Sequence, residues 1–361
     1  MMTGIYIHVP FCAKKCPYCD FYSCSYTKSA ADAYVKAVCR NLDRLPDGTD
    51  VDTVYFGGGT PSLLSVSAVS KILERIAAHC HLHMPEITLE ANPRTMTDEK
   101  LKGWKTAGIN RLSVGVQSFR DDLLGTLERN HTAAQGKDAI MRASAAGFQN
   151  LSLDLMLGLA GHTDLVLAEE VQTARSLPIT HLSVYLLKIE DGTPYSANPP
   201  KMLDEDDMAD RYLQLHDLLT AADFSHYEIS NFARAGYESR HNCKYWRCEP
   251  YFGIGPAAHS CLDGKRFCVP RDLSAFCTAA QQPTEVTDES PCGVSERVML
   301  AMRLKEGICL SDYPSEREKL LQNAKPLIPK YLRTEGERLT MTPEGWLMSN
   351  SVLVSLLRGI L

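Results

Sequence analysis

The chain has 361 residues, 44% of them hydrophobic, so it can bury a sizeable core and is long for a single compact unit. A net charge of −6 and a pI near 6.0, with no basic stripe, argue against nucleic acid as the main partner. No apolar run approaches the ~20 residues of a membrane helix, and no positive region precedes an apolar stretch at the N-terminus. The chain therefore reads as cytoplasmic and not transmembrane, with peripheral membrane contact left open. Its 13 cysteines, odd in number and scattered, suit a reducing compartment better than a disulfide framework.

The elements follow in order. Ile5 to Val9 is β-branched and reads as a strand that Pro10 ends. Behind it come Cys12, Cys16 and Cys19, spaced C-x3-C-x2-C, with Pro17 keeping the segment out of helix. Ala30 to Arg44 predicts a helix stopped by Leu45-Pro46-Asp47-Gly48, and Thr53 to Phe56 a strand running into Gly57-Gly58-Gly59-Thr60-Pro61. The next helix carries Val66, Val69, Ile72, Leu73 and Ile76 on one face. Glu86–Glu90 is a strand, and a helix follows Thr97, a fitting N-cap, and stops at Gly108. Arg111–Gln117 is a strand followed by helical sequence to about Gly147. Leu151–Leu159 is apolar almost throughout, as a buried parallel strand is. Asp164–Ser176 is helical, His181–Ile189 a sixth strand, and Asp204 to about Asp223 a sixth helix burying Met208, Tyr212, Leu215 and Leu219.

Six alternating strand–helix units imply a parallel sheet with helices outside, too few for a closed eight-stranded barrel. Residues 1–233 form this core. Residues 234–285, rich in aromatics, Gly and Pro, are expected to cap the barrel mouth. Residues 286–361, with a helix around Val298–Leu304 and a last helix opening near Arg338–Gly345, make a small C-terminal domain. Its charges are mixed, which speaks against a DNA-binding wing.

Three cysteines hold three irons of a [4Fe-4S] cluster, whereas a fully protein-bound cluster needs four. The open iron then accepts a small chelating ligand. The amino and carboxylate groups of S-adenosylmethionine (SAM) are one, and an electron from the cluster then breaks its sulfonium bond. A zinc site would take a fourth Cys or His nearby, and none is spaced for it. A redox dithiol would need only Cys16 and Cys19, and inert structural cysteines are the plainest alternative.

With its flanks Tyr6-Ile7-His8-Val9-Pro10-Phe11 and Pro17-Tyr18-Cys19-Asp20-Phe21, this segment resembles the signature of the radical SAM superfamily. The flanks look like the branch that holds oxygen-independent coproporphyrinogen III oxidase and the heme chaperones. That resemblance implies an α/β fold, an open (β/α)6 partial TIM barrel with a small α+β, winged-helix-like C-terminal domain. It also implies that Gly58, Gly59 and Thr60 meet the methionine end of SAM. Glu90, Gln117, Arg129 and Asp154, at or just beyond strand ends, match the positions that contact SAM's amino group, ribose or carboxylate. A lone carboxylate such as Asp154 in a buried strand is costly unless paired or bound, and a structural ion pair with Arg129 is the alternative. Tyr6 matches a SAM-contacting tyrosine, and Tyr18 an aromatic that shields the cluster. A plain core role is open to both rings. Lys14 and Lys15 suit docking of an acidic, flavodoxin-like electron donor, or simply a solvated loop.

Two features separate the branches. The oxidase pattern continues to a fourth cysteine, where this chain has Phe21, and Cys19-Asp20-Phe21 is similar to the heme chaperones. The oxidase also has a longer segment before its cluster strand. Further on, His241-Asn242-Cys243-Lys244-Tyr245-Trp246 resembles their H-N-x-x-Y-W motif. Imidazole is a common heme ligand and the aromatics suit stacking on a porphyrin; a hydrogen-bonded histidine in an aromatic corner is the alternative. Cys243 and Cys248 add candidate thiolates. Gly158-Leu159-Ala160 departs from the family's Gly-Leu-Pro, which loosens a turn and removes no ligand. The expected protein is thus a radical SAM heme chaperone that binds heme and passes it to acceptor hemoproteins. The alternatives are a coproporphyrinogen III decarboxylase or a radical SAM enzyme acting on an unrelated substrate.

Overall fold

The computed structural model describes residues 2–360. Six strands, β1 Thr3–Val9, β2 Thr49–Gly58, β3 Cys80–Ala91, β4 Arg111–Gln117, β5 Asn150–Leu157 and β6 His181–Leu186, lie side by side in chain order, all parallel. Helices α1 Lys28–Leu42, α2 Val66–His79, α3 Asp98–Ala107, α4 Ala133–Ala145, α5 Asp164–Ser176 and α6 Glu205–Thr220 follow the strands in turn. Their starts obey side-chain capping: Thr27, Ser65, Thr97, Thr132, Thr163 and Asp204 each accept a hydrogen bond from the first turn. As expected, α3 runs from the Thr97 cap to Gly108, whose φ of 104° closes the helix in the left-handed region.

The strands alternate, and that alternation makes the site. Ile5, Ile7, Val54, Phe56, Leu89, Leu112, Val114, Leu153 and Leu182 point outward into the apolar core under the helices. The other face carries Tyr6, Tyr55, Thr88, Glu90, Arg111, Ser113, Ser152, Asp154, His181 and Ser183, brought level by registers such as Glu90 opposite Ser113 and Asp154 opposite Ser183. Side chains of a strand divide between its two faces with period two, so the concave face of this sheet is polar while its back is oily.

The barrel does not close. Two antiparallel strands, β7 Ser225–Glu228 and β8 Asn231–Ala233, finish the β6 edge. On the other side β9 Tyr251–Ile254 pairs with β1 as a further parallel strand, followed by the antiparallel β10 His259–Leu262, β11 Lys265–Cys268 and β12 Glu285–Asp288. The whole is one open sheet of 12 strands.

Between these edges the helix α7 Arg240–Trp246 packs at the N-terminal ends of the strands. The His241 amide donates to Glu86 Oε1 at 3.2 Å, and Lys244 Nζ reaches Asp52 at 2.8 Å and the Met2 carbonyl at 3.1 Å. For α7 the expectation that this segment caps the barrel mouth is therefore corrected: the helix plugs the opposite end. Its physical reason is the buried Thr53 and Glu86 there, which find hydrogen-bond partners in His241 and the first amides of α7.

A second core, built on Val298, Met302, Leu320, Leu339, Trp346 and Leu356, holds the C-terminal residues together. There α8 Val294–Ala301, β13 Ile308–Cys309, α9 Arg317–Ala324, the hairpin β14 Leu332–Glu335 and β15 Arg338–Met341, and the helices α10 Pro343–Leu347 and α11 Ser349–Leu356 follow in turn. The sheet order β13-β15-β14 beside these helices is compatible with a winged-helix-like outline.

Candidate functional site

The cysteine loop leaves the C-terminal end of β1. Phe11–Cys12 pairs in parallel with Cys24–Ser25, and the Cys24 amide donates to the Pro10 carbonyl at 2.8 Å, so the loop is pinned at its base. Cys24 Sγ adds a contact of 3.1 Å to the same carbonyl. Within the loop the Cys19 amide donates to the Cys16 carbonyl at 3.2 Å, which folds the last two cysteines into one turn. The Tyr195 amide holds the Pro17 carbonyl at 3.1 Å from the far wall.

The glycine turn after β2 is stitched to this loop. Gly59 N donates to the Val9 carbonyl at 2.9 Å and Thr60 N to the Phe11 carbonyl at 2.7 Å. Both glycines are required. A Cβ on Gly59 would lie 2.7 Å from the Phe11 carbonyl oxygen, and Gly58 combines a φ of 103° with the His8 imidazole at 2.7 Å from its absent Cβ. Thr60 Oγ1 approaches Cys12 Sγ at 3.7 Å.

These segments border a cavity of about 490 Å³. Cys12, Cys16, Cys19, Tyr18, Gly58, Gly59, Thr60, Glu90, Gln117, Arg129 and Asp154 all line it, so the residues expected at the site, scattered over some 140 positions of sequence, converge. Tyr6 and His241 do not line it. The Tyr6 hydroxyl pairs with His8 Nδ1 at 3.2 Å inside the barrel, and its ring stacks on His241 at 6.2 Å. His241 is fully buried at the other end, with Nδ1 on Thr53 Oγ1 and Nε2 on the Tyr245 hydroxyl, both at 2.8 Å. Burial and the nearby Lys244 and Arg111 push its imidazole down to about 3, so it is neutral and both its nitrogens are occupied. A larger opening of about 790 Å³ lies between α7 and the C-terminal unit. It is rimmed by matched charges such as Arg247 and Glu306, 3.0 Å apart, and none of the loop cysteines borders it.

The cavity wall is polarised. Arg129 Nη1 lies 3.2 Å from Cys16 Sγ and 3.4 Å from the Tyr18 hydroxyl, while Nη2 donates to the Gly115 carbonyl at 2.6 Å. This puts a fixed cation beside a sulfur that is negative when it ligates metal. Glu90 Oε1 accepts from the Tyr55 hydroxyl at 2.8 Å, and Asp154 accepts from the Ser113 hydroxyl at 3.0 Å. Removal from bulk water pushes the Glu90 carboxyl up to about 7, with Asp154 adding to the rise; burial also raises Asp154. Glu90 and Asp154, with Arg111 near both, give this wall two acids that can receive a positively charged guest.

Tyr55, Ser113, Met156 and Tyr185 belong to this site and escape motif reading. For Ser113 and Met156 the signal is the strand period, since they stand an even number of places from Gln117 and Asp154 on their own strands; Tyr55 and Tyr185 carry no such marker.

The donor set fits an iron–sulfur cluster and SAM. Gln117 Oε1 and Arg129 Nε are buried without a protein partner, and Gln117 is held at a φ of 75°, rare for a residue with a side chain. Among the described residues no three His, Cys, Asp or Glu side chains are close enough to hold a single metal ion.

The Radical SAM superfamily pattern matches residues 6–174, and that family implies a [4Fe-4S] cluster and SAM. Among curated proteins, the chain is 33% identical to the heme chaperone HemW of Lactococcus lactis over 97% of this chain and 96% of that protein. It is 34% identical to heme chaperone HemW of Bacillus subtilis over 97% and 98%. It is 41% identical to heme chaperone HemW of Escherichia coli over 71% and 69%. The structure of coproporphyrinogen III oxidase (HemN) from Escherichia coli superimposes with a TM-score of 0.80, covering 98% of this chain and 90% of that one. Its 18% identity makes this a likeness of fold, and it bears out the open barrel expected from the six strand–helix units. With a third of its residues identical to such relatives over nearly their whole length, the chain belongs to the heme chaperone HemW family of the radical SAM superfamily.

Proposed function

We propose that this protein binds heme and hands it to acceptor hemoproteins, with a [4Fe-4S] cluster on Cys12, Cys16 and Cys19 and with SAM beside it. The observation that carries this reading is the extent of its identity to heme chaperones. Phe21, where the oxidase pattern has its fourth cysteine, argues against the decarboxylase alternative.

Held by Cys12, Cys16 and Cys19, a reduced [4Fe-4S] cluster would supply one electron to the sulfonium group of bound SAM. The chain's own residues do the rest. Gly58, Gly59 and Thr60 present backbone to the methionine end, and Glu90, as carboxylate, receives the ammonium. Gln117 and Arg129, each with a free buried polar atom, and Asp154 complete the shell around the carboxylate and ribose. Tyr18 and the Arg129 guanidinium keep water from Cys16.

A guest larger than SAM has a place at the cavity mouth. Phe21, Tyr185 and Leu186 are exposed large apolar side chains on its rim, and Lys15 and Lys188 flank them. Exposed apolar patches mark interaction sites, and a flat apolar ring edged by carboxylates matches this rim. Lys14 is engaged with Glu128 at 2.7 Å, which leaves Lys15 as the loop cation for an acidic electron donor. The test is anaerobic reconstitution followed by parallel assays. Heme titration is expected to give a saturable Soret band, and coproporphyrinogen III with SAM and reductant is expected to stay intact. Repeated turnover of the porphyrinogen would favour the decarboxylase.

A further inference from the structure

All the cysteines of the chain are free thiols, and three of them meet far from the cluster loop. Cys261 lies on β10. Cys292 stands two residues before α8, in the segment that leads from β12 into the C-terminal unit. Their sulfurs are 3.9 Å apart, and Cys248, in the turn after α7, touches Cys292 from the other side.

The position of Cys292 is held from several directions. Its amide donates to Glu296 Oε2 at 2.6 Å, and its carbonyl accepts from Arg297 Nε at 2.6 Å. Glu296 in turn pairs with Arg266 of β11 at 2.7 Å. Cys248 and Cys292 both have left-handed backbone, with φ of 53° and 66°, a region that residues with side chains seldom enter. The chain thus spends backbone freedom to bring these sulfurs face to face. Cys261 is buried beneath, while Cys292 is partly open to solvent. Burial and contact with Cys292 push the Cys248 thiol up to about 12 and the Cys261 thiol up to about 11, so neither is the first to react.

We propose that Cys261 and Cys292 are a redox pair that a peroxide closes into a disulfide, tying the entrance of the C-terminal unit to the main sheet. The Cys292 sulfur takes one oxygen from hydrogen peroxide, giving a sulfenic acid and one water. The Cys261 sulfur, giving up its proton, attacks that sulfur; the S–S bond forms, the S–O bond breaks, and the oxygen leaves as a second water. Two thiols are oxidised by two electrons and one peroxide is reduced. A disulfide needs its sulfurs at about 2.05 Å, so closure draws them together by side-chain rotation over less than 2 Å of approach from the 3.9 Å seen. A thiol reductant reopens it by exchange.

The experiment uses the reconstituted full-length protein. It is treated with hydrogen peroxide, its remaining thiols are blocked with a maleimide, and it is digested with trypsin without reduction. Cys248 and Cys261 share the tryptic peptide 248–265, and Cys292 lies in 272–297 with Cys277. The expected product is these two peptides joined, lighter than their sum by the two hydrogens lost, and separated by dithiothreitol. Cys261→Ser and Cys292→Ser each abolish it, and Cys248→Ser leaves it in place. A joined product that persists in Cys292→Ser or in Cys261→Ser, or separate peptides after full peroxide treatment of protein that circular dichroism shows to be folded, overturns the proposal.

Discussion

If Glu90 receives SAM's ammonium, as proposed, SAM binding depends on pH. In the ligand-free protein the Glu90 carboxyl is pushed up to about 7 by burial and by the neighbouring Asp154, against the pull of the Tyr55 hydroxyl. If SAM's ammonium binds the carboxylate, affinity follows the ionised fraction. The sign is fixed: a raised carboxyl is protonated at low pH, so binding strengthens as pH rises towards and through 7. The ionised fraction climbs from about 3% at pH 5.5 to about half at pH 7, below the 7.7–8.0 at which an α-amino group itself titrates. Affinity should therefore rise roughly 15-fold over that interval, and binding at pH 6 should release close to one proton per SAM. Tyr55→Phe removes the hydrogen bond that favours the charged form. It should move the midpoint upward and weaken binding at pH 7 by about 10-fold or more, as expected for a hydrogen bond to a charged group. Calorimetry on reconstituted protein, in buffers of different ionisation enthalpy, reads both the affinity and the proton count. Affinity independent of pH, without proton release and with cluster content unchanged, would refute the assignment of Glu90.

Other substitutions test other parts. Gly59→Ala places a methyl 2.7 Å from the Phe11 carbonyl oxygen; overpacking of this kind costs about 1–3 kcal/mol, and iron content after reconstitution should fall with it. Cys16→Ala should abolish the cluster's broad visible absorbance, whereas Cys24→Ala should keep it, because the Cys24 amide still holds Pro10; a full four-iron cluster in Cys16→Ala would show that thiol not to be a ligand. His241→Ala deletes a buried ring with two hydrogen bonds, a loss of about 2–4 kcal/mol on denaturant unfolding, with heme spectra of the folded protein unaltered. A shifted Soret band with unchanged stability would instead make His241 a heme ligand.

Most of the barrel is legible because its signals are local. The six strands are apolar on the helix-facing side, the cap at Thr97 is short-range chemistry, and the three cysteines need only their spacing. The site reads well for a related reason: a polar residue in or just after an apolar strand, such as Asp154 or Glu90, stands out against its neighbours. What escapes is decided by contacts distant in sequence. The strand Tyr251–Ile254 is short and contains Gly253, and only its pairing with Gly4–Ile7 makes it part of the parallel sheet. The placement of His241 depends on Glu86 and Thr53, some 150 and 190 residues earlier, which demand a partner at the closed end of the barrel. The aromatic motif announces a buried ring and is silent on which end it occupies.

The central claim is that heme passes through this protein to another. The most direct test loads the anaerobically reconstituted protein with isotopically labelled heme, removes the free heme, and adds an apo-hemoprotein. The account predicts that label moves to the acceptor faster than heme dissociates into an inert scavenger, and that Cys16→Ala, lacking the cluster, changes that rate. Transfer no faster than spontaneous dissociation, or heme that cannot be retained at all, would contradict it.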